Sequence, residues 1–132
     1  MTYLLDTNVC IYTIKRRPRS VVEKIRSLPI EEICISTITV AELEHGVTKS
    51  QHRDTNRVAL LEFLTPFRIL DFDQGAARNY GEIRSALELK GTTIGPLDLL
   101  IGAHARSQNL TLVTNNTKEF RRISGLRLEN WV

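Results

Sequence analysis

Short apolar runs alternate along this chain with segments whose apolar residues recur every three or four positions. The short runs have the length of buried strands and are rich in leucine, isoleucine and valine. They are Tyr3-Leu4-Leu5, Ile33-Cys34-Ile35, Ile69-Leu70 and Thr111-Leu112-Val113. Because alternating strands and helices form α/β folds, we expect a mostly parallel central sheet, with helices on both faces and right-handed connections.

Helical spacing of apolar residues predicts six helices among these strands. The segments are Val9 to Lys15, Val21 to Leu28, Val40 to Val47, Val58 to Leu64, Ala76 to Leu87 and Leu97 to Ala105. The last is apolar nearly all round, which is typical of a buried helix. We expect Pro18 to end the first helix and Gly91 to end the fifth. Thr39 is placed to cap the third helix, with Glu42 completing a capping box.

Length and composition indicate one globular domain. With 132 residues, 42% of them hydrophobic and 25% charged, the chain can bury a core without cross-links. We therefore expect a single domain over residues 1–132. No run approaches the roughly 18 apolar residues that predict a membrane span. The first residues lack the basic start and long apolar run of a signal peptide, so the cytoplasm is the expected location.

Charge and cysteine content exclude few possible functions. The net charge is +3, and the sequence pI is about 9.1. Basic residues cluster twice, at Lys15, Arg16, Arg17 and Arg19 and again at Lys118, Arg121 and Arg122. These clusters fit either solvated surfaces or contacts with RNA phosphates. Cys10 and Cys34 lie among apolar neighbours, and we expect two buried free thiols.

Four acidic residues stand where predicted strands end or helices begin. Asp6 follows the first strand, Glu42 lies in the first turn of its predicted helix, and Asp98 lies in the first turn of the buried helix. Glu119 lies beyond the last predicted strand, in a short helix that starts near Thr117. Because functional groups gather at the carboxyl ends of parallel strands, all four acids can converge at one edge of the sheet.

Each acid alone has a structural explanation, because a carboxylate in a first helical turn complements the helix dipole. Asp6 fits that explanation less well, since it directly follows buried apolar residues. A cluster of four carboxylates would have raised pKa values unless a cation neutralised it. Carboxylate oxygens select Mg²⁺ or Mn²⁺ over zinc. The histidines His45, His52 and His104 show no zinc spacing, and we expect His104 in the core.

Such a metal site is suited to hydrolysing a phosphodiester. One or two divalent ions turn water into hydroxide and stabilise the charge that develops on phosphate, so no nucleophilic serine or cysteine is required. A different enzyme class remains open, because an aspartate at a strand end can be the nucleophile of an aspartyl-phosphate phosphatase. Those enzymes usually carry a second aspartate two residues on, where this chain has Asn8.

Four motifs, taken in order, resemble those of PIN domains. They are Leu5-Asp6-Thr7-Asn8, Ala41-Glu42-Leu43, Ile94-Gly95-Pro96-Leu97-Asp98 and Val113-Thr114-Asn115-Asn116-Thr117-Lys118-Glu119-Phe120. Each is weak alone, but the ordered set spans the chain from Tyr3 to Trp131. More narrowly, the set resembles the VapC toxins of bacterial toxin–antitoxin pairs. The resemblance implies a PIN-domain-like fold and a Mg²⁺- or Mn²⁺-dependent endoribonuclease that inhibits translation and is silenced by a cognate antitoxin.

The resemblance also implies roles for individual residues. The implied metal ligands and catalytic residues are Asp6, Glu42, Asp98 and Glu119, and the implied supporting residues are Thr7, Asn8, Thr114 and Asn116. Thr7 and Thr114 would orient the ligands, and Asn8 would shape the loop after the first strand. Many PIN domains carry an aspartate where this chain has Asn116. An amide oxygen would then replace a carboxylate, and Glu119 would supply the missing charge.

The implied partners are RNA, a VapB-type antitoxin and a second copy of the chain, within a homodimer or a larger toxin–antitoxin assembly. We expect an antitoxin tail to pack on the apolar helices near Val9 to Leu28 and Val40 to Val47, and to reach the acids with a basic side chain. The IGPLD and TNNTKEF motifs resemble a subgroup that cuts initiator tRNA in the anticodon region. The alternative, a catalytically silent PIN-fold interaction module, is disfavoured by the presence of Asp6, Glu42 and Asp98 together.

Overall fold

Five parallel strands form the centre of the protein in the computed structural model, which describes residues 1–132. The strands are β1 (Tyr3–Leu5), β2 (Ile33–Ser36), β3 (Arg68–Leu70), β4 (Thr111–Val113) and β5 (Arg127–Glu129). Their order across the sheet is β3-β2-β1-β4-β5. The α/β class and the four predicted strands are confirmed. The sequence pattern does not predict β5, because this edge strand has one apolar residue between two charged ones.

Seven helices surround the sheet. They are α1 (Thr7–Lys15), α2 (Arg19–Ser27), α3 (Thr37–Thr48), α4 (Arg53–Leu64), α5 (Gln74–Lys90), α6 (Pro96–Ser107) and α7 (Thr117–Phe120). All six predicted helices are present, as is the short helix near Thr117, and Gly91 ends α5 in the left-handed conformation. A short 3-10 turn, Ile30–Glu32, precedes β2. None of the helices combines the length and apolar content needed to cross a membrane.

The order of the strands reverses direction between β1 and β4. From β1 the chain builds outward through β2 and β3 on one side of the sheet, and β4 and β5 lie on the other. Leu5 pairs with Val113, so β1 and β4 end at the same level. In an open parallel sheet such a reversal leaves a crevice at the carboxyl ends, where ligands bind. Asp6 and Thr114, the next residues of the two strands, lie at this crevice.

Successive residues of the strands point to opposite faces of the sheet, and helices cover both faces. Leu4 and Cys34 belong to the cluster formed with α5 and α6. Leu5 belongs to the cluster formed with α1 to α4, which also contains Cys10. Both cysteines are buried and free, as predicted, and burial raises the pKa of the Cys34 thiol to about 11. Helices on both faces are therefore observed as expected.

The start of α3 differs from the prediction. Ser36 caps the helix, because its Oγ accepts the backbone N–H of Ile38 at 3.1 Å. The helix begins at Thr37, so Glu42 lies in its second turn and not its first. The predicted capping box between Thr39 and Glu42 is therefore wrong. Thr39 is fully buried and available for other contacts.

The buried face of α4 is not the one that the apolar spacing indicates. Val58 and Leu61 are 55% and 59% exposed, whereas Leu60 is buried beneath α3. Because α4 packs mainly against α1 and α3, several of its apolar residues remain outside. Ala77 of α5 and Leu97 at the start of α6 are also exposed, although the pattern places both on buried faces.

Candidate active site

Asp6 is held firmly at the carboxyl end of β1. Its backbone N–H donates to the Val113 carbonyl at 3.0 Å, which extends the pairing of β1 with β4 by one residue. Its Oδ1 accepts the backbone N–H of Val9 at 3.0 Å, so the carboxylate caps α1. Its Oδ2 accepts the hydroxyl proton of Thr114 at 2.5 Å. Both carboxylate oxygens are therefore fixed, and Asp6 is only 3% exposed.

Glu42 reaches the crevice from α3 and is oriented by hydroxyl groups. Thr7 Oγ1 donates to Glu42 Oε1 at 2.6 Å, the kind of contact that the sequence resemblance implies for Thr7. The Thr39 hydroxyl lies 3.4 Å from Thr7 Oγ1, so Thr39 contacts the residue that orients Glu42. Sequence reasoning misses this role of Thr39, because the contact depends on how α1 packs against α3.

Asn116 lies between Asp98 and Glu119. Its Nδ2 is 3.3 Å from Asp98 Oδ2 and 3.4 Å from Glu119 Oε2. Asp98 stands in the first turn of α6 and Glu119 in α7, as the sequence predicts. The amide donates a hydrogen towards each carboxylate and so offsets their repulsion.

Thr114 connects Asp6 with Asn116, the residue that lies between Asp98 and Glu119. Its hydroxyl donates to Asp6 and accepts the backbone N–H of Asn116 at 2.9 Å. Thr114 is fully buried, so water does not compete for either bond. One side chain therefore fixes Asp6 directly and, through Asn116, the amide that lies between Asp98 and Glu119.

Burial and mutual repulsion raise the pKa values of two of the acids. At Asp6 burial is the largest cause, and hydrogen bonds, that from Thr114 first, lower the pKa in part; repulsion from Glu42 adds a smaller rise. At Asp98 burial is again the largest cause, followed by repulsion from the other three acids. The structure thus brings all four predicted acids, Asp6, Glu42, Asp98 and Glu119, close enough to influence one another.

The donor atoms of this cluster suit a hard divalent cation. They are carboxylate oxygens with hydroxyl and amide neighbours, a set that favours Mg²⁺ or Mn²⁺. A cation would also relieve the repulsion that raises the pKa of Asp98. The carboxylates do not form a closed cage, since no three acidic, histidine or cysteine side chains are placed to hold an ion by themselves. Water or phosphate oxygens would complete the coordination, as is usual for Mg²⁺.

Asn8 does not lie in a loop. It occupies the first turn of α1, and its side chain is exposed. Its backbone N–H, like that of Val9, interacts with the Asp6 carboxylate. The expectation that Asn8 shapes a loop is therefore wrong, because Asp6 caps the helix and α1 begins at Thr7. Sequence reasoning also misses a contact beside the crevice, in which Asn115 Nδ2 donates to the Tyr12 hydroxyl at 3.2 Å.

Several exposed cations, two of them beside Glu119 in the chain, form no ion pair with another side chain. Lys118 and Arg121 flank Glu119 in the chain and are exposed, and Lys15 ends α1. The ion pairs between side chains lie elsewhere, at Arg19–Glu23, Arg57–Glu44, Arg84–Glu88 and Arg106–Glu82. Arg122 donates to the Thr93 carbonyl at 2.9 Å.

An apolar groove of about 450 Å³ opens beside Glu42, between α1, α3 and α4. Ile11 and Ile14 line one wall, and Leu43 and Gly46 line another. A Cβ added at Gly46 would meet nothing within 4 Å, so the groove is open at that point. The groove coincides in part with the helices on which the sequence predicts that an antitoxin tail packs.

Proteins of known identity resemble this chain over its whole length. The PIN domain family matches residues 3–126. A tRNA(fMet)-specific endonuclease VapC from Shigella flexneri is 44% identical over 131 residues, which cover 99% of this chain and 98% of the relative. Ribonuclease VapC2 from Rickettsia felis is 48% identical over 132 residues, with the same shares of the two chains covered.

Solved structures show the same fold. A chain of the Rickettsia felis VapBC2 complex, bound to a DNA fragment of its promoter, superposes with a TM-score of 0.93 at 46% identity and covers 100% of both chains. A chain of the DNA-bound VapBC complex from Salmonella typhimurium gives a TM-score of 0.95 at 42% identity, and the match covers 100% of this chain and 99% of that one.

Proposed function

This chain belongs to the PIN-domain family and, within it, to the VapC toxins, and we propose that it is an endoribonuclease that hydrolyses RNA phosphodiesters and so inhibits translation. The convergence of four carboxylates where the sheet reverses its strand order is the observation that carries this proposal. Relatives in the family are ribonucleases and endonucleases. Ribonucleases with a PIN domain generally need a divalent metal.

We assign the four acids as ligands for Mg²⁺ or Mn²⁺, with Asp6, Asp98 and Glu42 as the main set and Glu119 as a further ligand. A bound ion would supply hydroxide from water near neutral pH and neutralise charge on the phosphate. The chain's own contribution is to hold the ligands apart from one another and in place. The raised pKa of Asp98 favours this assignment, because a cation lowers the cost of keeping the carboxylate charged.

The two halves of the site have different rigidity. Asp6 has both oxygens in hydrogen bonds, and Glu42 has one oxygen in a 2.6 Å bond. Asp98 and Glu119 share only the long contacts to the Asn116 amide. We infer that the first pair is preorganised for a cation and that the second pair adjusts when the ion and the substrate phosphate arrive.

Transfer RNA is the substrate that we propose, and initiator tRNA cut in the anticodon region is the specific target. The support is that a relative at 44% identity is a tRNA(fMet)-specific endonuclease. The unpaired cations Lys15, Lys118 and Arg121 fit the phosphate backbone of such a substrate. A tRNA target would place the activity in the cytoplasm.

We propose a VapB-type antitoxin as the partner that silences the site. Solved structures of relatives are VapBC complexes, and the groove beside Glu42, lined by six hydrophobic residues, suits an apolar peptide segment. A basic side chain of that segment would compete with the cation for the carboxylates. We also propose a homodimer, for which the exposed apolar residues Val58 and Leu61 are available.

The test is cleavage of initiator tRNA and of an elongator tRNA by the purified chain, with Mg²⁺, with Mn²⁺ and with a chelator. We expect metal-dependent cuts in the anticodon region of the initiator tRNA, and their loss in Asp98→Asn. Hydrolysis of p-nitrophenyl phosphate in place of RNA would support the phosphatase alternative. A folded protein that binds the antitoxin but cuts no RNA under any of these conditions would support the silent interaction module.

A further inference from the structure

A buried hydrogen bond joins the helix that carries Asp98 to the start of the helix that carries Glu42. His104 Nδ1, in α6, lies 2.7 Å from the Oγ of Ser36, the residue that caps α3. Neither His104 nor Ser36 is exposed to solvent. The edge of the imidazole also packs against the ring of Phe72, with centroids 5.4 Å apart. The pair is thus a defined contact in the interior, between elements distant in sequence.

Ser36 forms a second hydrogen bond, in which its Oγ accepts the backbone N–H of Ile38 and uses one of its two lone pairs. The Ser36 hydroxyl proton can then be donated to His104 Nδ1, in the neutral imidazole tautomer that carries its proton on Nε2. Burial lowers the pKa of His104, which keeps the ring neutral. His104 Nε2 is buried and makes no hydrogen bond of normal distance and angle, although the backbone of Asp71 interacts with the ring.

The contact lies at the same distance along both helices from the two acids. Glu42 follows Ser36 by six residues, and His104 follows Asp98 by six residues. At about 1.5 Å per residue, each acid is roughly 9 Å of helix away from the contact. A slide or rotation of α6 on α3 at this point would therefore change the separation of the two carboxylates.

Burying a polar pair here costs more free energy than filling the same space with apolar side chains. An apolar side chain would avoid burying an imidazole nitrogen without a partner. A hydrogen bond nevertheless restricts the packing of two elements in direction as well as in distance, whereas an apolar contact tolerates small slides. The pair joins the helices that carry Glu42 and Asp98. A restriction on how these two helices pack therefore bears directly on the site.

We propose that His104 and Ser36 form a positioning pair, which fixes α6 on α3 and thereby the position of Asp98 relative to Glu42 in the site. This inference rests on the proposed function, because that function makes the two acids ligands of one site. Both His104 and Ser36 are fully buried, and they act through the helices they join.

Two substitutions of nearly equal shape test the pair. In His104→Asn the amide oxygen stands where Nδ1 stands, so the acceptor for Ser36 is kept. In His104→Leu the branched side chain has a similar outline and no acceptor. We expect the Asn variant to bind Mn²⁺ close to wild-type affinity, and the Leu variant to bind it about tenfold more weakly, the lower end of the range for supporting residues around a metal. Mn²⁺ binding is measured by calorimetry, and thermal unfolding with chelator shows whether each variant folds.

Cleavage kinetics give a second readout. We expect kcat to fall in His104→Leu and KM for tRNA to change little, because the RNA-contacting surface is untouched; His104→Asn should restore kcat. A Leu variant that folds and has wild-type Mn²⁺ affinity and kcat would overturn the proposal and leave the pair as core packing. If the wild-type chain cuts no RNA, the proposed function fails, whereas the Mn²⁺ comparison still decides on the positioning pair.

Removal of the hydroxyl covers the case in which His104→Leu does not fold. Glycine is tolerated at helix N-caps, so Ser36→Gly removes the hydroxyl with little loss of capping. We expect Ser36→Gly to weaken Mn²⁺ binding by about tenfold, whereas His104→Asn leaves the affinity unchanged. A Ser36→Gly protein that folds and binds Mn²⁺ with wild-type affinity would contradict a shared role. Where His104→Leu folds, Ser36→Gly should add little to its effect, and additive losses of Mn²⁺ affinity in that double variant would also contradict a shared role.

Discussion

Thr114 and Asp6 are 108 positions apart in the sequence and share a buried hydrogen bond of 2.5 Å. The same Thr114 oxygen accepts the backbone N–H of Asn116, whose side chain lies between Asp98 and Glu119. The arrangement of the four acids therefore depends on a buried residue that carries no charge. This dependence leads to the first of five predictions.

Thr114→Val should weaken both the fold and the site. Valine keeps the shape of threonine but leaves Asp6 Oδ2 buried without its donor, which costs about 1–3 kcal/mol of unfolding free energy. RNA cleavage should fall as well, and Thr114→Ser should restore both properties. Urea unfolding and tRNA cleavage measure the two effects, with Thr111→Val on the same strand as the control. A Thr114→Val protein that is as stable and active as wild type would refute the dependence.

Asp98→Asn should abolish cleavage and stabilise the metal-free protein at neutral pH. The pKa of Asp98 is raised above its ordinary value of 3.8, so the folded protein binds a proton more readily than the unfolded chain. The charged carboxylate therefore destabilises the fold, and stability falls as pH rises from 3.8 through the raised pKa. Thermal unfolding with chelator should show a higher Tm for the variant at pH 7, and no such gain near pH 3. Wild-type cleavage by Asp98→Asn would remove Asp98 from the catalytic set.

Glu119→Gln and Asn116→Asp should affect metal dependence in opposite directions. Loss of the Glu119 charge should lower turnover by about tenfold or more, as for a supporting ligand, with little change in stability. Asn116→Asp places a third carboxylate beside Asp98 and Glu119, so we expect lower stability without metal and tighter Mg²⁺ binding. Cleavage against Mg²⁺ concentration tests both variants. An unchanged rate and metal dependence in Glu119→Gln would return Glu119 to a structural role.

Gly46→Leu should leave RNA cleavage intact but abolish its inhibition by the antitoxin. An added Cβ at Gly46 meets nothing within 4 Å, and the residue lines the groove beside Glu42, so a larger side chain at this position would extend into the groove. We expect normal RNA cleavage, and loss of inhibition by the antitoxin. Gly46→Ala is the matched control and should be inhibited normally, while gaining up to about 1 kcal/mol of helix stability. Full inhibition of the Leu variant would place the antitoxin elsewhere.

The fold should lose stability below about pH 6.5 because of His104. Burial lowers the pKa of this imidazole, although Asp71 and Asp73 face it and act in the opposite direction. The unfolded chain then binds a proton that the folded protein resists, so stability is complete above the ordinary pKa of 6.5 and falls as pH decreases towards the lowered value. The drop in Tm from pH 7.5 to 5.5 should be smaller in His104→Asn than in wild type. The exposed His52, replaced by Asn, serves as control, and equal drops in all three proteins would exclude the effect.

The local pattern of the sequence is sufficient to predict most of the elements and the acids. Apolar periodicity depends on residues close in the chain, so it locates β1, β2 and β4 and the helices α5 and α6. A carboxylate directly after a buried strand, as at Asp6, is also a local feature. The convergence of Asp6 with Asp98 follows from the rule that carboxyl ends of parallel strands share one edge. These predictions required no knowledge of packing.

The tertiary structure alone decided which neighbours these residues have. Ser36 rather than Thr39 caps α3, Leu60 rather than Leu61 is buried in α4, and β5 exists because β4 offers it a partner. Each outcome depends on contacts between segments far apart in the chain, and a local pattern contains no information about them. The same reason applies to the buried bond of His104 with Ser36. The sequence by itself determined which side chains bring charge to the site, and the packing of α1, α3 and α6 on the sheet determined how far apart those charges stand and which neutral groups hold them.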